Sequence, residues 1–279
     1  MIVCTSISRA KNLTWAFNGM NDKNPLDQFS LDQRNFVITG GSSGIGRAMA
    51  TYLALAGASV VLLARREDEL ATAVDDIRDQ GGEAEALVAD LSQRDNLAEI
   101  ARECKAKTNN GIVDGIVNAA GVNLRQPVDE ITLESWDLTL NLNLAIPFFF
   151  TREFIPEMRT QGYGRVINIA SLQSSRAFPN GLPYGASKGG VCQLTRAMAE
   201  AWSKDNICCN AIAPGFFPTE LTAAVFGDDS TRDWASSQTT MGRNGQLEDL
   251  AGITIFFASA ASGYITGQTL HIDGGFTAR

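Results

Sequence analysis

Tyr184 and Lys188 are the residues of this sequence whose types and spacing best suit proton transfer. They are one helical turn apart in Tyr184-Gly-Ala-Ser-Lys188, so on a helix the phenol and the ammonium lie on one face. Ser171 closes an apolar stretch of strand length upstream of them. His271 is the only histidine, which argues against a Ser-His-Asp triad and leaves proton transfer at neutral pH to another side chain. A purely structural interpretation is the alternative: Lys188 is then a solvated charge on the helix surface, and Ser171 forms the turn at the strand end.

A glycine-rich turn follows the first apolar stretch, in Thr39-Gly-Gly-Ser-Ser-Gly-Ile-Gly46, and opens an amphipathic helix. Glycines permit a tight turn and let the backbone approach a pyrophosphate, which the N–H groups and the dipole of the helix N-terminus attract. The context therefore predicts a dinucleotide site, with a merely structural turn as the alternative. The candidate residues of this turn are Gly40, Ser42, Ser43, Gly44, Ile45 and Gly46.

The second apolar stretch ends in Ala64-Arg65-Arg66, where a chain that binds NAD usually has an acid for the ribose 2′-hydroxyl. An alanine and two arginines leave room for a 2′-phosphate and offer it a charged partner, which favours NADP(H). Alternatively, Arg65 and Arg66 only open a solvated helix rich in acids. Further candidate cofactor residues follow the next two stretches: Asp90, Leu91, Asn118, Ala119 and Gly121. Asp90 suits either the adenine amino group or the cap of the next helix.

Strand-length apolar stretches alternate with helical patterns and must position these residues. The stretches are 35–39, 59–64, 84–89, 112–118, 164–170, 207–213 and 268–272, and the main helical patterns are 45–55, 67–80, 96–106, 133–159, 184–204 and 247–259. Continuous apolarity suits strands that are covered on both faces, and alternation with helices implies a parallel sheet. We therefore predict an α/β fold, a single-domain Rossmann-type doubly wound seven-stranded parallel sheet. Its ligands should lie beyond the carboxyl ends of the strands.

Two segments fall outside this alternation. We expect residues 1–30 to form a poorly ordered N-terminal extension and residues 31–279 to form the NADP-binding domain. For residues 1–20 a start at Met20 or a disordered tail is preferred to a targeting peptide, although Arg9 and Lys11 without acids faintly resemble one. Residues 216–245 predict a lid-like excursion over the site, with an inert surface insertion as the alternative.

Composition restricts the partners. With 279 residues and a net charge of −8, the chain has too little basic character for a nucleic-acid or anionic membrane surface, so small molecules are the expected partners. Five cysteines without metal-ligand spacing predict no metal site and a reducing compartment, which we take as the cytoplasm. No apolar run reaches the roughly 18 residues that a membrane-spanning helix needs.

Several short motifs recur at strand ends and helix starts: Thr39-Gly-x3-Gly44-x-Gly46, Asn118-Ala-Ala-Gly121, Trp136-x6-Asn143, Ser171, Tyr184-x3-Lys188 and Pro214-Gly215-x3-Thr219. Together they resemble the short-chain dehydrogenase/reductase family, from about residue 30 to residue 279. Asn118-Ala119 departs from the family pattern, which often has two asparagines there, and we expect little effect from it.

The resemblance implies an oxidoreductase with a catalytic set of Asn143, Ser171, Tyr184 and Lys188. Tyr184 would be the general acid or base, and Lys188 would lower its pKa and hold the nicotinamide ribose, so both residues also contact the cofactor. Ser171 would donate a hydrogen bond to the substrate oxygen. Asn143 is similar to the asparagine that holds a relay water in the family. Near the nicotinamide the resemblance places Pro214, Gly215, Phe217 and Thr219, and it implies a homotetramer or homodimer.

Within the family, residues 210–220, 241–245 and 273–276 are similar to sugar-acid dehydrogenases of the gluconate 5-dehydrogenase and 2-deoxygluconate 3-dehydrogenase type. The candidate substrate residues are Arg125, Ser171, Gln173 and Tyr184. Arg125 could bind a substrate carboxylate, or it could be a surface arginine beside Asp129 and Glu130.

Three alternative functions stay open. A 3-oxoacyl-carrier-protein reductase would need arginines where this chain has Glu130 and Asp205, which would repel an acidic carrier. A ketone or steroid reductase would use Phe178, Phe216 and Phe217 as an apolar pocket, unless these are core residues. A non-catalytic NADP-binding protein is the remote alternative, because it would have had no need of Tyr184 and Lys188.

Overall fold

A computed structural model describes residues 24–279. Its seven strands form one parallel sheet in the order β3-β2-β1-β4-β5-β6-β7. The strands are β1 Asn35–Thr39, β2 Ser59–Ala64, β3 Glu83–Val88, β4 Gly115–Asn118, β5 Gly164–Ile169, β6 Ile207–Pro214 and β7 Thr269–Ile272. The chain crosses from one half of the sheet to the other between β3 and β4, next to β1. The predicted doubly wound seven-stranded fold is confirmed.

Ten α-helices cover the sheet in this part of the chain. They are α1 Gly44–Leu55, α2 Glu67–Asp79, α3 Leu97–Ala106, α4 Leu133–Leu140, α5 Ile146–Arg152, α6 Ile155–Gln161, α7 Leu182–Trp202, α8 Ala223–Phe226, α9 Asp229–Ser237 and α10 Ala251–Ala258. Short 3₁₀ helices are Pro25–Phe29, Arg94–Asn96, Val128–Glu130, Leu172–Ser174, Ser203–Asp205, Glu220–Thr222, Leu247–Leu250, Ala260–Ser262 and Phe276–Ala278, and Asn141–Ala145 is a π-helical turn.

The prediction of one helix over 133–159 was wrong. The structure has α4, the π-helical turn, α5 and α6 in this range, with a break at Glu153 and Phe154. Pro147 and Pro156 lie in the first turns of α5 and α6. Proline lacks an N–H group and fits only where that group needs no partner in the helix, so each proline marks a new helix start.

The hydrophobic core lies on both faces of the sheet, as continuous apolar strands require. In β1, the side chains of Phe36 and Ile38 belong to one buried cluster, while that of Val37 belongs to another. Successive side chains of a strand point to opposite faces, so a five-residue strand without polar alternation must be covered twice. All residues of β1 are buried.

The end of the predicted N-terminal extension is packed against the domain. Pro25–Phe29 form a 3₁₀ helix, the ring of Phe29 lies 6.2 Å from that of Phe256, and Leu31 is fully buried. Residues 25–29 thus have a defined 3₁₀ conformation, and the expected boundary between the extension and the domain at residue 30 stays a prediction. Residues 1–23, and with them the questions of a start at Met20 or a targeting peptide, lie outside the described residues.

The predicted excursion over 216–245 contains a 3₁₀ turn, α8 and α9. Its two ends are joined, because the backbone N–H of Gly245 donates to the carbonyl of Phe216 at 2.9 Å. The segment is therefore a closed, largely helical excursion from the carboxyl end of β6. Among residues 24–279, no helix is long and apolar enough to cross a membrane.

Candidate active site

A cleft of about 720 Å³ lies beyond the carboxyl ends of the strands, between the sheet and the 216–245 excursion. Nearly all of the predicted site residues line it. These are Gly40, Ser42, Ser43, Gly44, Ile45, Gly46, Arg65, Arg66, Asp90, Leu91, Ala119, Gly121, Arg125, Ser171, Gln173, Tyr184, Lys188, Pro214, Gly215, Phe217 and Thr219. Asn118 and Asn143 do not line the cleft but lie directly behind it. The tertiary structure thus brings motifs from both halves of the chain to one site.

The glycine-rich turn is packed so tightly that larger side chains are excluded. A Cβ atom on Gly46 would lie 2.2 Å from the carbonyl oxygen of Gly40, which itself has a φ of +68°. Ser43 caps α1 without a side-chain hydrogen bond to the helix. The first N–H groups of α1 therefore have no side-chain acceptor from this cap, and a phosphate group fits there.

Thr39, which the sequence motif contains but which was not predicted as a site residue, ties two strand ends together. Its hydroxyl oxygen accepts hydrogen bonds from the backbone N–H groups of Ala119 and Ala120, both at 3.1 Å. This fixes the end of β4 against the end of β1. The short side chains of both alanines leave the floor of the cleft open beside the glycine turn.

Arg66 crosses the mouth of the cleft and contacts the opposite wall. Its guanidinium pairs with Glu220 of the excursion and also donates to the Ser43 hydroxyl at 3.2 Å. Arg65 lines the same corner. Asp90 accepts a hydrogen bond from the backbone N–H of Ser92 at 2.9 Å, so it caps the turn after β3, and it also faces the cleft.

The phenol of Tyr184 is buried at the centre of the cleft wall. Burial raises the pKa of Tyr184 above its usual value, because the phenolate loses solvation, while a hydrogen bond from Ser171 and the positive charge of Arg125 lower it. The sequence predicted Ser171 as both a catalytic and a substrate residue, and Arg125 as a substrate residue. In the structure all three residues line the same cleft.

Lys188 contacts Tyr184 less directly than the sequence interpretation assumed. Its Nζ donates a 2.6 Å hydrogen bond to the carbonyl of Ile169 and lies 5.6 Å from the centre of the Tyr184 ring. Burial lowers the pKa of Lys188 to about 8, with a small opposing effect of Cys192. In this structure the groups that lower the pKa of Tyr184 are Ser171 and Arg125, because the ammonium of Lys188 is directed to the end of β5.

Ser171 is held at the end of β5 by a short helix. Its hydroxyl oxygen accepts from the N–H of Gln173 at 3.1 Å. Ser174 accepts from the Ser171 N–H at 3.2 Å and donates to the Lys188 carbonyl at 2.8 Å, which links Ser171 to α7. Gln173 lies against Gly181, where a Cβ atom would be 2.2 Å from its side-chain oxygen. This glycine makes room for the amide beside the cleft.

Asn143 lies in the π-helical turn and connects the β4 loop with α7. Its side-chain oxygen accepts from the Val122 N–H at 2.8 Å, and its amide donates to the Val122 carbonyl at 2.8 Å and to the Ser187 hydroxyl at 3.1 Å. Ser187 in turn donates to the carbonyl of Tyr184 at 2.7 Å. These contacts position the loop and the helix that carries Tyr184. A relay role for Asn143 stays a prediction.

Asn118 was predicted as a cofactor residue but points away from the cleft. Its amide donates to the Asn168 side chain at 2.8 Å and to the Thr151 hydroxyl at 3.0 Å, beneath the sheet. Because strand side chains alternate between faces, a residue at a strand end can face the helix layer instead of the ligand. Asn118 therefore links the end of β4 to β5 and to α5.

Sequence reasoning missed several cleft residues, among them the polar residues Asn123 and Glu220. Asn123 lines the cleft, and its side-chain oxygen is buried without a hydrogen-bond partner among the described residues. Its position just after Gly121, in a loop at a strand end, was the available signal. The sequence around Glu220 gave no such signal, because Glu220 pairs with Arg66, a residue that is far away in the chain and lies across the cleft. Phe178 and Phe216 line the cleft as an edge-to-face pair 5.9 Å apart.

Comparison with known proteins agrees with this geometry. A family model described as "Enoyl-(Acyl carrier protein) reductase" matches residues 40–277. Gluconate 5-dehydrogenase of Gluconobacter oxydans is 37% identical over 90% of this chain and 97% of its own. 2-dehydro-3-deoxy-D-gluconate 5-dehydrogenase of Escherichia coli is 35% identical over 91% of this chain and 99% of its own.

Among solved structures, a gluconate 5-dehydrogenase from Burkholderia cenocepacia in complex with NADP and tartrate has a TM-score of 0.86 and 39% identity, covering 92% of this chain and 100% of its own. The family match and these relatives span nearly all of the described residues, including the glycine turn and the Tyr184 helix. The chain belongs to the short-chain dehydrogenase/reductase family of oxidoreductases.

Proposed function

We propose that this protein is an NADP(H)-dependent oxidoreductase that transfers a hydride between nicotinamide and a carbonyl or secondary alcohol carbon of a sugar acid. The observation that carries the proposal is the buried side chain of Tyr184, which lines the same cleft as Ser171, Lys188 and Arg125. The named activities of the gluconate and deoxygluconate relatives support the substrate class. A solved relative with bound NADP supports the cofactor.

The residues of the cleft fit a dinucleotide. The uncapped start of α1 beside the glycine turn would hold the pyrophosphate, and Arg65 and Arg66 would face the 2′-phosphate. Asp90 and Leu91 would contact the adenine end, and Pro214, Gly215, Phe217 and Thr219 the nicotinamide end. When bound, NADP(H) supplies or accepts the hydride.

The proton chemistry belongs to residues of the chain itself. In carbonyl reduction the Tyr184 phenol donates its proton to the substrate oxygen, and in alcohol oxidation its phenolate accepts that proton. The Ser171 hydroxyl donates a hydrogen bond to the same oxygen as negative charge develops there. Burial lowers the pKa of Lys188 to about 8, which makes both of its protonation states accessible near neutrality.

Arg125 is the proposed partner of the substrate carboxylate. It lines the same cleft as Tyr184 and Ser171, so a carboxylate bound to it would share the cleft with the reacting carbon. Among the described residues, the lysines and arginines that line the cleft are Arg125, Lys188 and the pair Arg65 and Arg66. We call the part of the cleft beside Arg65 and Arg66 the adenosine corner. Against the acyl-carrier alternative, Glu130 puts a negative charge where such a reductase would need an arginine, whereas the charge of Asp205 is balanced by Arg159 at 2.7 Å.

A ketone reductase remains the second candidate, because the edge-to-face pair of Phe178 and Phe216 gives the cleft an apolar wall. The aromatic rings extend from Phe216 to Trp234 and Phe276, at centroid distances of 6.2 Å and 5.9 Å. A flat apolar ketone could pack against this wall without a carboxylate contact.

Absorbance at 340 nm with purified protein tests the function. We expect turnover of aldonates with NADP, and a loss of about 10²–10⁴-fold in kcat for Tyr184→Phe with NADPH binding retained. Arg125→Ala should raise KM for an aldonate about tenfold or more, and should leave KM for the corresponding neutral polyol nearly unchanged. Equal effects of Arg125→Ala on acid and polyol, or turnover of simple ketones alone, would contradict the sugar-acid assignment.

We also propose a homotetramer or homodimer in the cytoplasm. Leu133, Val128 and Leu182 are 78%, 63% and 50% exposed on neighbouring elements, and burying them in an interface is favourable. The four cysteines of the described chain, Cys104, Cys192, Cys208 and Cys209, are all free, as in reducing compartments. Sedimentation equilibrium measures the assembly directly, and a monomer at micromolar concentration would exclude it.

A further inference from the structure

The ion pair of Arg66 and Glu220 joins the two walls of the cofactor cleft. The Glu220 carboxylate lies 2.9 Å and 3.1 Å from Nη2 of Arg66 and 3.1 Å from its Nη1, so both of its oxygens are engaged. Arg66 follows β2, whereas Glu220 begins the 3₁₀ turn of the 216–245 excursion. The contact therefore links the adenosine corner to the excursion.

The excursion is close to the glycine turn at the same place. A Cβ atom on Gly44 would lie 3.2 Å from the side chain of Thr219, the residue before Glu220. The hydroxyl of Ser43 is the other cleft group that Arg66 contacts. The Arg66 guanidinium is thus held beside Ser43, the residue that precedes α1.

The charges in this corner are unequal. Two carboxylates balance the positive charge of Arg66: that of Glu220, and that of Glu69 at 3.3 Å from the Arg66 Nη1. Arg65 lines the cleft and has no carboxylate within salt-bridge distance among the described residues. A phosphate that approaches Arg66 must therefore displace a carboxylate or bind beside it, whereas Arg65 is available at once.

We propose that Glu220 is a specificity-determining residue: its carboxylate competes with the 2′-phosphate of NADP(H) for Arg66, and so weakens the preference for NADP(H) over NAD(H). This inference rests on the proposed use of NADP(H). NAD(H) has a hydroxyl in place of that phosphate and does not compete for Arg66. Removing the Glu220 charge therefore strengthens NADP(H) binding and leaves NAD(H) binding unchanged.

The pair is exposed, which limits the size of the effect. Arg66 and Glu220 are 44% and 64% exposed, and pairs of this kind contribute little and are screened by salt. We expect Glu220→Gln to lower the Kd of NADPH by about two- to fivefold at low ionic strength. At about 0.5 M salt the gain should largely disappear.

Fluorescence titration of the purified apo protein with NADPH and NADH measures both Kd values without turnover. Glu85→Gln is the matched control, because Glu85 forms a comparable exposed pair with Arg78 at 2.7 Å, outside the cleft. Arg66→Gln, with and without Glu220→Gln, tests whether the effect passes through Arg66. Glu220→Ala replaces Glu220→Gln if the latter does not fold.

The inference holds if Glu220→Gln tightens NADPH but not NADH, Glu85→Gln changes neither, and the gain is lost in the Arg66→Gln background. Unchanged or weaker NADPH binding in Glu220→Gln overturns it, since Glu220 would then be neutral or would orient Arg66 for the phosphate. A gain that persists without Arg66 also overturns it. If the wild type and the variants all bind NADPH no better than NADH, the cofactor assignment itself is refuted, and this inference with it.

Discussion

At the scale of single residues, the chemistry depends on how the environment sets the pKa of Tyr184. Burial opposes the phenolate, and Ser171 and Arg125 favour it, the former by a hydrogen bond and the latter by charge. Arg125 is therefore able to act twice, on the substrate and on the proton donor. Burial favours the protonated phenol, which suits carbonyl reduction, whereas alcohol oxidation uses the phenolate.

The direction of these effects predicts a pH profile. The rate of alcohol oxidation should rise with pH as Tyr184 deprotonates, and the rate of carbonyl reduction should fall through the same range. Ser171→Ala and Arg125→Ala each remove an influence that lowers the pKa of Tyr184, so the midpoint of both profiles should move to higher pH. Profiles of kcat/KM from pH 6 to 11 measure this.

Arg102→Ala is the matched control, because Arg102 is a 75% exposed arginine on α3 and is not a cleft residue. Its profile should coincide with that of the wild type. A midpoint that moves to lower pH in Arg125→Ala would contradict the role given to the arginine.

At the scale of elements, the site depends on a close contact between the glycine turn and the start of α1. Gly46 lies in the first turn of α1 and passes the Gly40 carbonyl with no space for a side chain. The helix start is thereby held beside the ends of β1 and β4, and its N–H groups point into the cleft. A similar dependence on small residues is seen at Gly121, where a Cβ atom would be 3.0 Å from the Asn143 side chain.

Gly46→Ala should destabilise the fold by about 2–4 kcal/mol, because the obstacle is backbone and cannot rotate away. Gly252→Ala is the matched control, since Gly252 lies in α10 with nothing within 4 Å of its added Cβ. That variant should gain about 0.5–1 kcal/mol from reduced freedom of the unfolded chain. Urea denaturation compares the two, and equal stabilities would show that the turn tolerates a side chain.

At the scale of the whole molecule, the cleft is formed between the sheet edge and the 216–245 excursion. The excursion contributes Glu220, Leu221, Thr222 and Ala224 to the lining, and its ends are closed by the bond between Gly245 and Phe216. Few of its side chains are buried, which suits a segment that moves as a lid. We propose that it closes over the bound cofactor.

Hydrogen exchange tests this lid. Saturating NADPH should slow amide exchange in residues 219–237, because closure shields their backbone from water. Helix α3, which packs on the sheet outside the cleft, should exchange at an unchanged rate and serves as the internal control. Protection confined to the glycine turn, with 219–237 unaffected, would mark the excursion as an inert insertion.

The sequence by itself determined the sheet and the members of the site. Continuous apolar stretches specified strands covered on both faces, and the carboxyl ends of parallel strands meet at one edge, so the glycine turn, Ser171 and the Tyr184 helix had to converge there. Local rules sufficed, because turn chemistry and periodicity are properties of neighbouring residues. The break in 133–159 was also available from its prolines and was missed.

Only the tertiary structure decided which side chains meet. It turned Asn118 beneath the sheet, directed Lys188 to the Ile169 carbonyl, gave Tyr184 the neighbours Ser171 and Arg125, and joined Arg66 to Glu220. These contacts link residues far apart in the chain. They depend on the crossover connections between the parallel strands and on the face of the sheet that each side chain occupies. No pattern of neighbouring residues contains that information, because the pairing energy arises only after the core has brought the partners together.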